Sequence, residues 1–306
     1  MAAWSRRWPE NGLMRRRRHA TVRTLTPLIG IAMLLVASAT TRAVGALVVT
    51  DDLGRRLPGH PPAQRIVTLS PHATELVLAA GAARHLVGVA AGSQDDGHNG
   101  ALPRIGGWSG LDRETVLALR PDLAIAWHSG NRTADLAWLE RIGVRVYRSE
   151  PRNLEDIARG ITAIGVLTDN QPAARQATIG FYRAIRSACS NLPGVAVYVR
   201  VWSHPELTVG GDHWINAVLR AAGYRNVLAQ VPRGVFAIAP ETALGYRDIT
   251  QIGLERRYDD SPADRLADAL SRPGPGLAEA VETLCQRRLG ETPTPTEPDG
   301  AAHRGR

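Results

Sequence analysis

Short apolar segments alternate with helical segments over residues 65–149, and this alternation constrains the fold most strongly. Arg65–Leu69, Leu86–Ala90 and Val144–Tyr147 have the composition of buried strands. Ser70-Pro71 is typical of a helix start, because serine caps the helix and proline takes its first position. Strands and helices that alternate at this spacing predict parallel βα units and therefore an α/β fold.

A helix and the strand after it carry a tryptophan at each end. Asp112 is expected to cap the helix, and residues 122–126 have the pattern of a buried strand. A helix packed on the strand that follows it runs antiparallel to that strand. Trp108 and Trp127 should therefore meet at the carboxyl edge of the sheet, where open α/β sheets bind ligands. The alternative interpretation is that both are core residues, as large aromatic side chains commonly are.

The pattern changes after Asn153, where two helices follow each other before strands resume at Val195. The second helix is the longer one and is predicted over residues 172–190. The order of elements therefore predicts two α/β lobes joined by a single long helix. We place the first lobe at 47–171 and the second at 191–290.

Both ends of the chain lie outside this predicted domain. Residues 1–46 contain the basic stretch Arg15–Arg18 and then the apolar run Leu28–Ala39, a pattern typical of a cleavable signal peptide, with an uncleaved anchor as the alternative. Translation is expected to begin at Met1 or Met14. Residues 291–306 are rich in Pro, Thr and Glu and are predicted to be a disordered tail.

The positive charge of the chain is concentrated in the predicted signal peptide. The formal net charge is +8, and residues 1–46 hold eight arginines and one glutamate. The remainder has 29 basic and 28 acidic residues and is nearly neutral, so charge gives no reason to expect nucleic-acid binding. The two cysteines of an exported protein are compatible with a Cys189–Cys285 disulfide or with two free thiols.

The sequence lacks the motifs of the common catalytic sites. It contains no G-x-S-x-G elbow, no phosphate-binding P-loop and no H-E-x-x-H motif, so we expect no enzymatic activity and no cofactor. Four histidines fall at predicted strand ends or helix starts, and their convergence on a metal ion is the alternative. No close ligand spacing joins any two of them, so we expect no metal site. They are His72, His128, His204 and His213.

Four segments taken together are similar to a known family. They are RIVTLSPHATELVLAAGA (65–82), GGWSGLDRETVLALRPDLAIAWHSGN (106–131), LTVGGDHWINAVLRAAGYRNV (207–227) and ALSRPGPGLAEAVETLC (269–285). In this order they resemble the periplasmic cobalamin-binding proteins that serve ABC importers, a group within the helical-backbone class of solute-binding proteins.

The resemblance implies a monomeric periplasmic protein with a ligand cleft between two α/β lobes. It further implies that cobalamin or a related corrinoid is the ligand and that an inner-membrane ABC permease dimer is the partner. A ferric siderophore or haem binder of the same class is the first alternative, and a degenerate interaction protein that no longer transports is the second. The residues expected to bind the ligand are Trp108, Trp127, His72, Ser129, Gly130, Asn131, Trp202 and His213.

The resemblance also assigns Glu114 and Glu241 to docking on the permease, one in each lobe. The chain departs from the family at four places, one of which is the second-lobe cleft loop VPRGVFAIAP (231–240), which lacks the tryptophan sometimes found there. Gly92 stands where these proteins often have a tyrosine, and Ala222 stands where they have the cysteine that pairs with the last helix. Residues 242–268 are compressed, so we expect the second lobe to be shortened and to lack a strand.

Overall fold

The computed structural model describes the region between the two predicted terminal segments. The predicted signal peptide, the predicted tail and Trp108 lie outside the described residues, and expectations for them remain predictions. No helix in the described part of the chain is long and apolar enough to cross a membrane. The described residues are 47–93, 101–107, 109–186, 189, 191–256, 258 and 261–290.

The described part of the first lobe contains eight strands. They are β1 (Val48–Thr50), β2 (Arg56–Pro58), β3 (Ile66–Thr68), β4 (Leu86–Val89), β5 (Gly106–Gly107), β6 (Gly110–Leu111), β7 (Leu123–Trp127) and β8 (Arg145–Ser149). Four of them form a parallel sheet in the order β4-β3-β7-β8, which confirms the predicted parallel α/β architecture. The other four form two antiparallel pairs, β1 with β2 and β5 with β6.

The helices of this lobe begin where the sequence predicts. Ser70 caps the first helix by accepting a hydrogen bond from the Ala73 N–H, and Asp112 caps the second by accepting one from the Thr115 N–H. Each cap satisfies a backbone donor that a helix start leaves without an intrahelical partner. The α-helices in the described residues of this lobe are α1 (Pro71–Ala79), α2 (Arg113–Leu119), α3 (Thr133–Arg141) and α4 (Leu154–Leu167).

One helix, α5 (Gln171–Ile185), leads from the first lobe to the second. It is shorter than the predicted 172–190, and residues 187, 188 and 190 lie outside the described residues. It packs closely on α4, because a Cβ at Gly165 would lie only 2.3 Å from the Cβ of Ala174. Phe181 of α5 is buried in a hydrophobic core cluster that contains residues of both lobes.

The second lobe is organised around the long strand β9 (Val195–Ser203). β9 pairs antiparallel with β10 and parallel with β11 and β13, and β12 pairs antiparallel with β10. These strands are β10 (Glu206–Val209), β11 (Tyr224–Asn226), β12 (Val235–Ala237) and β13 (Thr250–Gly253). The helices of this lobe are α6 (Ile215–Ala221), α7 (Pro240–Leu244), α8 (Pro262–Leu270) and α9 (Leu277–Gly290).

The expectation that the compressed segment 242–268 lacks a strand is wrong. β13 lies within it and pairs with residues 197–200 of β9. Its helix–strand unit is short, since α7 has five residues and β13 has four. Ile252 is the one buried side chain of β13, and the strand therefore lacks the apolar run by which a buried parallel strand is recognised in sequence.

Cys189 and Cys285 form a disulfide that joins the segment after α5 to α9. Their Cα atoms are 5.6 Å apart. Ala222, where the resemblance implies the family's second cysteine, is buried at the end of α6. Cys189 lies beside that position, since a Cβ at Gly223 would be 3.2 Å from the Cys189 carbonyl oxygen. The cysteine that pairs with α9 therefore lies near the end of α6 in space, but it belongs to the segment after α5.

We predict that the bridge contributes substantially to the stability of the folded protein. Replacing both cysteines by serine in a Cys189→Ser/Cys285→Ser variant should lower the free energy of unfolding by about 2–5 kcal/mol, because the bridge closes a long loop in the unfolded chain. Urea unfolding of the two proteins measures the difference. The wild-type protein without reductant should resist alkylation at both sulfurs in mass spectrometry, and free alkylation of both would contradict the prediction.

Candidate functional site

The strand order of the first lobe produces a crevice at the ends of β3 and β7. The chain passes from β3 to β4 on one side and later places β7 on the other side. The loops that follow β3 and β7 therefore diverge, and open α/β sheets bind ligands at such a switch point. His72 follows β3, and residues 127–131 run from the end of β7 into its loop.

The Asn131 side chain connects the two strand ends. Its Nδ2 donates to the Leu69 carbonyl at 2.8 Å, and its Oδ1 accepts from the Trp127 N–H at 2.7 Å. The Asn131 N–H also donates to the Trp127 carbonyl. Both groups of the side-chain amide are thus occupied by backbone, so Asn131, predicted as a ligand contact, shapes the loop that carries Trp127.

Trp127 is half-buried, and its position is set by two neighbours. A Cβ at Gly130 would lie 2.2 Å from the indole Cε3, so only glycine allows the ring to lie there. The His72 imidazole meets the indole edge to face, with ring centroids 5.3 Å apart and planes at 88°. This arrangement is one that aromatic rings prefer.

The His72 imidazole is a neutral ring in an enclosed position. Burial, together with the positive charge of Arg272, lowers its pKa to about 3. Its Nδ1 lies 3.2 Å from the Ser70 Oγ, whereas its Nε2 has no hydrogen-bond partner among the described residues. At neutral pH this wall of the crevice therefore carries no charge from His72.

The loop after β7 is linked to the loop after β8. The Ser129 N–H donates to Glu150 Oε2 at 2.9 Å. Glu150, Pro151 and Arg152 follow β8 and line one side of a cavity of about 550 Å³. Through this hydrogen bond the Trp127 loop adjoins the cavity wall.

The opposite side of the cavity belongs to the second lobe and comprises residues 211–214. The rings of His213 and Trp214 have centroids 3.9 Å apart and are tilted by 33°. Burial lowers the pKa of His213 to about 4, so this imidazole is also neutral at neutral pH. The cavity thus lies between a polar loop of the first lobe and an aromatic pair of the second.

Two buried asparagines hold the second-lobe loop in place. Asn216 Nδ2 donates to the carbonyls of Gly210, Gly211 and His213. Asn226 Nδ2 donates to Asn216 Oδ1 at 3.1 Å. Side chains from α6 and β11 therefore hold the loop before α6 in place.

The sequence matches a known protein family. The profile of the family described as "Periplasmic binding protein" matches residues 66–255, which span most of both lobes. The chain belongs to this family. The vitamin B12-binding protein of Vibrio vulnificus is 32% identical over 255 residues, which cover 74% of this chain and 90% of that protein. The corresponding protein of Vibrio parahaemolyticus is 32% identical over 171 residues, and the chain spans 62% of its length.

Solved structures of periplasmic binding proteins have the same fold. The vitamin B12-binding protein of Vibrio cholerae is 26% identical, with a TM-score of 0.60, and the match covers 74% of this chain and 96% of that one. A heme-binding protein of Pseudomonas aeruginosa is 27% identical, with a TM-score of 0.57, and the match covers 71% and 79% of the two chains. Both structures are similar to this periplasmic binding protein, and the two proteins are described as binding different ligands, vitamin B12 and heme.

The predicted site residues of this family member do not all meet at the cavity. His213 lines it, and Ser129 is bonded to its wall. Trp202, in contrast, is 47% exposed and donates its indole N–H to the His204 carbonyl, and it is not among the residues that line the cavity. Among the described residues, no three His, Cys, Asp or Glu side chains are grouped so as to hold a metal ion.

Sequence reasoning missed several residues of the cavity. Glu150 and Arg152 follow β8, so the carboxyl-edge rule that selected Trp127 would have found them as well. Asp212 and Trp214 flank His213. They were not predicted, because the sequence did not indicate the order of the strands in the second-lobe sheet. Gly92, where the resemblance implies a tyrosine, has a φ of 78°, a backbone conformation that strains any side chain with a Cβ.

We predict that the Asn131 crosslink is essential to the shape of the crevice. Asn131→Asp replaces the donor that faces the Leu69 carbonyl with an acceptor. It should lower the free energy of unfolding by about 1–3 kcal/mol, because a buried carbonyl loses its partner. Urea unfolding measures the change. Asn191→Asp, an equal change at an exposed side chain, is the matched control, and an equal effect of the two would contradict the prediction.

Proposed function

We propose that this periplasmic binding protein captures cobalamin or a related corrinoid and delivers it to an inner-membrane ABC permease, without catalysing a reaction. The observation that carries the proposal is the pairing of aromatic and imidazole rings in both lobes. Trp127 contacts His72 in the first lobe, and Trp214 contacts His213 in the second. The vitamin B12-binding relatives support the choice of ligand.

The chemistry of these walls suits a large ring with polar edges. A corrin macrocycle has broad apolar faces and peripheral amide groups. An indole that packs on such a face buries about 150–250 Å², worth very roughly 4–6 kcal/mol before association costs. Neutral imidazoles beside the indoles avoid burying a charge against the ring. Glu150, Arg152 and Asp212 add hydrogen-bonding groups at the cavity.

The observations bear differently on the two alternative functions. A haem or ferric siderophore ligand keeps the same protein class, and the heme-binding neighbour is the observation that favours haem. A degenerate interaction protein requires a second lobe that no longer forms a cleft. The presence of β13 and the closed network of Asn216 and Asn226 argue against this second alternative.

We predict that residues 47–306 bind a corrinoid and that Trp127→Ala weakens this binding at least tenfold, about 1.4 kcal/mol. The reason is the loss of the indole that covers the ligand. Calorimetric titration with cyanocobalamin, dicyanocobinamide, haem and a ferric hydroxamate measures it. Trp138→Ala, which truncates a partly buried tryptophan packed in the first-lobe core, is the control. A folded wild-type protein that binds haem and no corrinoid would overturn the ligand assignment.

The proposed delivery step uses one exposed carboxylate in each lobe. Glu114 lies in the first turn of α2 and Glu241 in the first turn of α7, and both are exposed. Charged side chains at an interface set orientation and encounter rate more than affinity. We propose that the signal peptide in residues 1–46 directs export to the periplasm, where the protein is a monomer. Both glutamates then contact arginines of the permease dimer.

Each proposed docking glutamate has an exposed leucine on the same helix face. Leu117 follows Glu114 by three residues and is 54% exposed, and Leu244 follows Glu241 by three residues and is 64% exposed. Side chains three residues apart on a helix are neighbours. The two lobes therefore offer the same carboxylate–leucine pair, which suits a partner with two-fold symmetry, and the leucines supply apolar contact beside the charges.

We predict that Glu114→Arg leaves corrinoid affinity within about threefold and strongly depresses uptake, because like charges at an interface repel. Leu117→Asn should also depress uptake at unchanged affinity. Uptake of labelled cobalamin by cells that contain the permease measures both effects.

The matched controls are Glu155→Arg, an exposed first-turn glutamate of α4, and Leu289→Asn, a 62% exposed leucine of α9. Neither should change uptake. If Glu114→Arg abolishes ligand binding while the fold survives, Glu114 belongs to the cleft and not to the docking surface.

A further inference from the structure

One ion pair joins the two lobes directly. Arg272, in the segment between α8 and α9, donates from Nε to Glu75 Oε1 of α1 at 2.6 Å. The two residues are 197 positions apart in sequence and belong to different lobes. Both side chains are about three-quarters buried, so solvent screens the pair only in part.

The Arg272 guanidinium is held in one orientation by its own lobe. Asp268 accepts two hydrogen bonds from it, at 2.5 and 2.6 Å, which is the two-pronged geometry that arginine forms with carboxylates. Asp268 is bonded in turn to Arg256 Nη1 at 2.6 Å, and Arg256 Nη2 donates to Asp264 at 3.1 Å. Arg272 therefore meets Glu75 with its direction already fixed.

The backbone around Arg272 is shaped to receive the carboxylate. A Cβ at Gly274 would lie 2.3 Å from Glu75 Oε2, so the glycine leaves the space that this oxygen occupies. Burial raises the pKa of Glu75 in spite of the attraction of Arg272. Burial removes both charges from water, and this desolvation offsets much of their attraction, so the pair contributes little net stability. Its presence is better explained by the geometry that it imposes.

Each residue of the ion pair lies close in the chain to a residue that contacts a tryptophan of its own lobe. On α1, His72 precedes Glu75 by one helical turn and contacts Trp127. On the other side, the Leu270 carbonyl, two residues before Arg272, accepts a hydrogen bond from the Trp214 indole at 3.3 Å. The ion pair therefore connects the elements that carry the aromatic residues of the two lobes.

We propose that Glu75 and Arg272 form a lobe clasp, a pair of positioning residues that sets the distance between the two cleft walls and so controls the rate of ligand release. The part about ligand release rests on the proposed function, whereas the part about lobe distance does not. Neither residue is proposed to touch the ligand.

The test uses Glu75→Gln, which keeps the shape of the side chain and removes its charge. Glu140→Gln is the matched control, because Glu140 pairs with Arg55 and Arg148 within the first lobe only. Spin labels at Arg141→Cys and Arg220→Cys, exposed positions in the first and second lobes, report the lobe distance in the ligand-free protein. Stopped-flow measurement of cyanocobalamin binding gives association and dissociation rates separately.

We expect Glu75→Gln to lengthen and broaden the distance distribution and to raise the dissociation rate about tenfold or more. The association rate should change less, because most affinity differences between related complexes lie in the dissociation rate. Arg272→Lys, which keeps the charge, should lie between wild type and Arg272→Gln. Glu140→Gln should leave both readouts unchanged.

A Glu75→Gln variant with a lowered melting temperature but wild-type distances and rates would overturn the clasp and leave the proposed function intact. If the wild-type protein binds no corrinoid, the proposed ligand fails, and the spin-label distances alone decide whether the clasp exists.

Discussion

The two hydrogen bonds of the Asn131 amide are the constraint on which the first-lobe site depends. Parallel strands bring β3 and β7 side by side, but their loops leave in different directions, and a crevice opens only if the loop ends stay in place. Asn131 keeps them in place by bonding to the backbone of both strand ends. Gly130 then leaves room for the indole of Trp127, and His72 completes the wall.

Most of the first lobe could be predicted from sequence because its signals are local. Ser70-Pro71 and Asp112 mark helix starts through bonds to residues three positions away, and the structure contains both caps. The role of Asn131 could not be predicted in this way, because its second partner, the Leu69 carbonyl, lies 62 residues earlier in the chain. A contact of this kind follows from the sheet order and not from any pattern within a segment.

The second lobe was harder to predict for two physical reasons. β13 has one buried side chain, Ile252, and its membership of the sheet depends on pairing with β9. The cavity is formed by loops from both lobes, so Glu150 and Trp214 become neighbours of one space only when the lobes are assembled. The Glu75–Arg272 pair has the same origin, since neither residue has a local sequence feature that indicates the other.

The disulfide has a topological consequence for the second lobe. Its two cysteines are 96 residues apart, and every strand of the second lobe lies between them. The chain therefore enters and leaves this lobe at one covalently closed point, and the covalent connection to the first lobe runs through that point alone. Most of the second lobe is thereby confined as one covalent unit even in the denatured chain, and a backbone cut between the two cysteines would leave both fragments attached.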